Sequence, residues 1–204
     1  MEASSFQRFG GYCAIAAGIG TFAYSVAFVI IARSAPDLGA NISWGLLMVG
    51  GLLSSVFVVA LSQRLRDVEP GFALWGMLLG VVASLGSSIH GGYELANAIN
   101  PPASHPALPS QVDPRGLLTF GIWGLAVLVF SWLMGRHPRF DKRLSYLGFV
   151  SAALLLLIYL ARLIVLTSTS LVVLVPAALS GFVVGPVFSI WLGTVLLKNG
   201  IRER

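Results

Sequence analysis

His90 and Glu94 stand one helical turn apart in "SSIHGGYELANAIN", at the end of an apolar run that otherwise avoids charge. At i and i+4 the two side chains share one face of a helix. An imidazole hydrogen-bonded to a carboxylate can change protonation in the physiological range, and ionisable residues at membrane depth are functional candidates by default. A third such residue is Arg162, in "LLLLIYLARLIVL". Counted at 1.5 Å per residue from the expected outer boundary, His90 lies roughly 10 Å deep, Glu94 about 4 to 5 Å and Arg162 roughly 7 to 8 Å. A lone guanidinium in hydrocarbon costs at least about 2.5 kcal/mol, so this shared layer predicts an ion pair between Glu94 and Arg162. Tyr93, Asn97 and Tyr159 would complete the polar network. Two roles are open to it. It either relays protons or holds a ligand, or it is a salt bridge clasping the third helix to the fifth near the interface, where long side chains reach water at little cost.

A metal site would draw on His90, Glu94 and His105, two imidazoles and a carboxylate of the type zinc accepts. The helix lacks the H-E-x-x-H arrangement, however, and a bis-histidine haem would need a second imidazole at depth. His137 falls on the opposite side, so no cofactor is expected. There is no phosphate-cradling G-x-x-x-x-G-K-[ST], no G-x-S-x-G elbow and no pair of intramembrane aspartates, so enzyme chemistry has little support. The serines at 54, 55, 84, 87 and 88 are expected to bond backbone carbonyls within their own helices. Cys13 is the only cysteine, which leaves no intrachain disulfide and no cysteine-based metal cluster.

The elements that must carry these residues follow from composition. Hydrophobic residues form 56% of the 204 and charged residues 10%, against about 25% charged in an ordinary soluble domain. Such a chain cannot cover a water-facing surface. Six apolar runs, at 10–32, 43–61, 72–97, 116–134, 144–167 and 171–197, are each near or above the ~20 residues that cross a bilayer as a helix. The runs are apolar on every face, unlike the alternating segments of about ten residues in a β-barrel. The expectation is therefore an all-α polytopic membrane protein, a six-helix bundle forming one domain over 1–204. The first run also exceeds the roughly 7 to 15 apolar residues of a signal-peptide core.

Alternating spans gather Arg8, Arg64, Arg66, the basic loop "GRHPRFDKR", Lys198, Arg202 and Arg204 on one side, leaving Arg33 and Arg115 on the other. By the positive-inside rule both termini are cytoplasmic. The net charge of +5 is thus a topology signal, not the folded basic face that nucleic acid needs. Tyr12, Trp75, Trp132 and Tyr146 fall near the inner boundary, Trp44 and Tyr93 near the outer one, as interfacial belts expect. The outer loop 98–115 is rich in proline and serine, with Asp113 and Pro114 reading as a helix start. Gly76 and Gly80, Gly181 and Gly185, and Gly18, Gly20, Gly50 and Gly51 offer close helix packing, within the chain or against another membrane protein. Pro176 and Pro186 predict a kinked last span.

From "GLLTFGIWGLAVLVFSWLMGRHPRFDKRLSYLGFVSAALLLLIYL" through "LVPAALSGFVVGPVFSIWLGTVLL", the chain resembles the last three spans of uncharacterised bacterial membrane proteins of the DUF4386-like type. The shared rhythm is a Gly-rich span, a short basic loop before an "RxLxYLG"-like helix start, and a final span with an early proline and a terminal "WL". The resemblance covers the second half of the chain. It implies a bacterial cytoplasmic-membrane protein and brings no activity or site. The leading expectation is an accessory or interaction protein whose His/Glu/Arg network holds or senses something. The alternatives are a transporter of a small solute or proton, which requires a cavity reaching His90 and beyond, and a membrane-embedded metal protein or enzyme.

Overall fold

The computed structural model describes residues 5–101, 115–165 and 170–198. His105, Asp113, Pro114, Arg202, Arg204 and most of the proline-rich loop lie outside them. Among the described residues the chain is helical, with six helices long and apolar enough to span a membrane: α1 Ser5–Ser34, α2 Pro36–Leu65, α3 Pro70–Ile99, α4 Leu117–Arg136, α5 Lys142–Ile164 and α6 Leu171–Lys198. The expected six-helix membrane bundle is what forms.

Several helices outrun the apolar stretches that mark them, because the residues flanking those stretches continue the helix. Their limits are set by proline and capping chemistry. Ala35 alone joins α1 to α2, at φ −140° and ψ 81°, since a residue before proline is pushed out of the helical region. Glu69 does the same before Pro70, at φ −158° and ψ 98°. Each proline then opens a helix at a position whose N–H has no partner to lose. At the start of α5, the Asp141 carboxylate accepts the Arg143 backbone N–H at 2.8 Å, an N-cap.

The helices follow one another around a closed ring. α1 packs on α2, α2 on α3, α3 on α4, α4 on α5, α5 on α6, and α6 returns to α1. Small residues set the close approaches. Gly10 faces Ala60 and Gly51 faces the Ser84 carbonyl across α2 and α3; Gly18 meets the Pro186 carbonyl; Gly80 meets Val58. These glycines serve packing within the chain. Hydroxyls add bonds between helices: Ser62 donates to the Ala73 carbonyl at 2.9 Å, Ser88 to that of Met48 at 2.9 Å and Ser145 to that of Ser131 at 2.6 Å.

Arg8, Arg64, Arg66, Arg136, Arg139, Lys142, Arg143 and Lys198 all fall at the end of the ring where the described chain starts and stops. We call it the basic end. Next to it the ring is solid. Leu61, Leu65, Leu133, Met134, Leu144, Leu192 and Leu196 are each 1% exposed or less. Tyr12, Trp75 and Tyr146 face outward there, as an interfacial belt would.

Candidate functional site

Towards the other end the ring is hollow. It encloses a cavity of about 470 Å³ to which all six helices contribute, inside the range of roughly 300 to 1,000 Å³ typical of ligand sites. Tyr24, Phe28, Trp44, Phe120 and Trp123 form its aromatic wall, and Thr21, Ser25, Ser54, Ser84, Ser87 and Thr119 bring hydroxyls. His90 and Arg162 line it as well. A second chamber of about 90 Å³ lies next to it towards the basic end, sharing Ala17, Thr21, Ser54, Trp123, Leu155 and Ser180. Phe57 and Phe188 close that chamber against the solid core, Phe57 meeting the Trp123 ring edge-on with centroids 5.9 Å apart.

The hollow has a backbone cause. Three stretches are wound as π-helix, Val26–Ile31 in α1, Leu117–Ile122 opening α4 and Ser180–Val184 in α6, and each contributes to the cavity lining. A π turn is wider than an α turn and redirects the side chains that follow; such turns are frequent at functional sites. In α6 the widening lies between the two prolines. Pro186 has no N–H to return to the previous turn, and the Gly185 N–H instead reaches back five residues to the Ser180 carbonyl. The kink read from Pro176 and Pro186 thus takes the form of a widened turn. Gly20 and Gly50 face this space too, and a Cβ added to either would meet nothing within 4 Å.

The expected network divides into two. Glu94 does not pair with Arg162: its carboxylate takes the Arg115 guanidinium at 2.5 Å, and Arg115 lies over the Tyr93 ring at 4.8 Å. Arg115 stands at the entrance to α4, beside the end of α3, and so reaches Glu94 first. Arg162 bends back to the Val165 carbonyl at 3.3 Å and lines the cavity. His90 is also luminal. Its Nδ1 lies 3.3 Å from the Thr119 hydroxyl, and its ring stacks on Trp44 with centroids 5.6 Å apart. Trp44 is therefore a wall residue and not the interfacial anchor its position suggested. Tyr159 packs on Gly121 between α4 and α5, and Asn97 is half-buried near the end of α3; neither lines the cavity.

The serine expectation holds at Ser55 and Ser87, which donate to the Leu52 and Ala83 carbonyls at 2.7 and 3.0 Å. It fails at Ser88, which crosses to α2, and at Ser84. The Ser84 hydroxyl is 1% exposed, belongs to the cavity wall and has no hydrogen-bond partner among the described residues. A buried hydroxyl left without a partner is costly, and this one lies just behind the wall surface, out of contact with the lumen. No group of three His, Cys, Asp or Glu able to hold a metal occurs among the described residues, and the expected third ligand His105 lies outside them.

Fold and site together define a multi-pass membrane protein with a hollow half. Comparisons with protein-family models, curated proteins and solved structures return no match.

Proposed function

We propose that this chain is a carrier for a small organic solute, which occupies the lumen from the end opposite the basic loops. By the positive-inside rule that end is the outer one, and the resemblance noted above favours a bacterial cytoplasmic membrane as its setting. One observation carries the reading: a cavity of ligand size lies in the middle of the ring, lined by every span and reaching past His90 to Ser54. Carriers place their sites at mid-depth, on helices whose regular winding is interrupted. The π segments and the proline-broken α6 provide that interruption. An accessory role through a glycine-lined outer flank has less support, because Gly18, Gly51, Gly76 and Gly80 are buried against the chain's own helices.

A second reading is a receptor that binds without transporting, favoured by the seal of Phe57, Phe188 and the leucines beneath them. Ser54→Cys in a Cys13→Ala background separates the readings. In proteoliposomes of known orientation, a membrane-impermeant thiol reagent should label a carrier from either side, a receptor from the outer side alone and a closed accessory protein from neither.

A further inference from the structure

We infer that the small chamber beside the lumen seats the polar head of the solute, a hydroxyl or an amide, and that Ser151 and Ser180 hold it there while the body lies in the lumen. The inference rests on the lumen being a binding site, as proposed above. Ser54 from α2, Ser151 from α5, and Ser180 and Ser189 from α6 line the chamber. None of these hydroxyls has a hydrogen-bond partner within the described chain. Ser151 is 3% exposed and Ser180 9%. Unlike that of Ser84, sealed behind the wall, their hydroxyls keep surface on the chamber. Burying a hydroxyl that nothing meets is costly, so the chamber is suited to a polar group from outside the chain.

Size and chemistry narrow that group. At roughly 30 Å³ for a water-sized unit, a chamber of about 90 Å³ admits a head of about three heavy atoms. A serine hydroxyl both donates and accepts, which suits a head that does the same. Among the described residues no ionisable side chain lines the chamber, so a charged head would be buried there without a counter-ion, at high cost. Ser54 and Ser180 line the lumen too, so one molecule can span both spaces. Its body then meets the aromatic wall, where the Tyr24 and Phe28 rings stack with centroids 5.7 Å apart and Phe28 meets Trp44 edge-on at 6.2 Å. A few placed polar groups fix the orientation of a ligand in an apolar pocket. Here they direct its head towards the basic end.

The test is equilibrium binding to the full chain in nanodiscs, corrected with empty nanodiscs, of 2-(2-naphthyl)ethanol and 2-ethylnaphthalene, which share a body and differ in the hydroxyl. Ser151→Ala combined with Ser180→Ala should weaken the alcohol about tenfold, as the loss of one or two hydrogen bonds implies, and leave the hydrocarbon unchanged. Each probe is compared with itself, so its partition into lipid cancels. The free protein should be at least as stable with both replacements, since they remove hydroxyls that pair with nothing in the chain. Ser87→Ala, in the lumen but outside the chamber, should leave both probes unchanged. An equal effect on the two probes in the double variant, or loss of the alcohol in Ser87→Ala instead, overturns the chamber assignment. If Gly50→Leu then still blocks both probes, the lumen stands as a binding site and only the seat of the head falls. A marked loss of stability in the double variant would mean that the hydroxyls are paired within the chain, and would overturn the inference as well. Binding of neither probe removes the head site and the lumen site together.

Discussion

The two halves of the ring are built from the same six helices, yet one is filled and the other empty. Near the basic end, leucines and phenylalanines from α2, α4, α5 and α6 interdigitate with almost no exposure. Further along, the same helices pass through three π segments and a pair of lumen-facing glycines and leave about 470 Å³ unfilled. Lipid supplies no hydrophobic drive between helices, so a membrane bundle holds together by close packing. The difference therefore implies that the solid half anchors the ring while the hollow half is free to specialise.

The largest effect expected from this contrast comes from cutting equal side chains on either side of it. Leu133→Ala, in the solid half, should cost about 2 to 5 kcal/mol. Leu47→Ala, on the cavity wall, should cost less than half as much, because much of its surface faces empty space. SDS-titrated unfolding from mild detergent measures both. Equal costs would erase the distinction.

Adjacent glycines sharpen it. At Gly51 an added methyl runs into the Ser84 carbonyl and Ser88, so Gly51→Ala should destabilise by about 1 to 3 kcal/mol through overpacking. At Gly50 the methyl enters the lumen, and Gly50→Ala should be neutral or gain up to about 1 kcal/mol from helix propensity. The same unfolding assay reads the sign of each.

Arg115, paired with Glu94, and the luminal Arg162 form a third contrast. A double-mutant cycle between Glu94 and Arg115 should give a coupling of about 1 kcal/mol, while one between Glu94 and Arg162 should fall within about 0.5 kcal/mol of additivity. Significant coupling in the second cycle would restore a single network.

The smallest effect belongs to the basic end. Burial, with Arg139 and then Arg64 close by, lowers the His137 imidazole below its ordinary 6.5, Asp67 opposing. Its Nδ1 accepts the Arg139 backbone N–H at 3.1 Å. The unfolded chain then takes up this proton more readily than the folded one, so the stability is fully present above the ordinary value and declines as pH falls through and below it. Thermal unfolding followed from about pH 7.5 to 5.5 should show this decline in the wild type and a shallower one in His137→Gln.

The bundle was readable in the sequence because length and apolarity alone decide whether a segment spans. His90 and Arg162 were readable as residues out of place in hydrocarbon. Their surroundings were not, since a helix apolar on all faces gives no periodicity to say which side looks inward. The Glu94 partner was missed for a related reason: Arg115 sits in a connection whose path no depth count describes. Thr21 with Ser25, and Ser84 with Ser87, recur at helical spacing and could have hinted at a polar inner face. The π turns had no comparable trace beyond Pro186.

The most direct measurement compares the rates at which a small aqueous thiol reagent modifies Ser87→Cys and Ser131→Cys, each in Cys13→Ala. Both native hydroxyls bond a carbonyl four residues back in their own helix, at 3.0 and 2.6 Å, but Ser87 lines the lumen and Ser131 is fully buried in the solid half. Rapid reaction at 87, slowed by Gly50→Leu, with none at 131 is the predicted result. Equal protection of the two positions would mean that the ring is filled along its whole length, and would contradict the hollow half on which the proposed function depends.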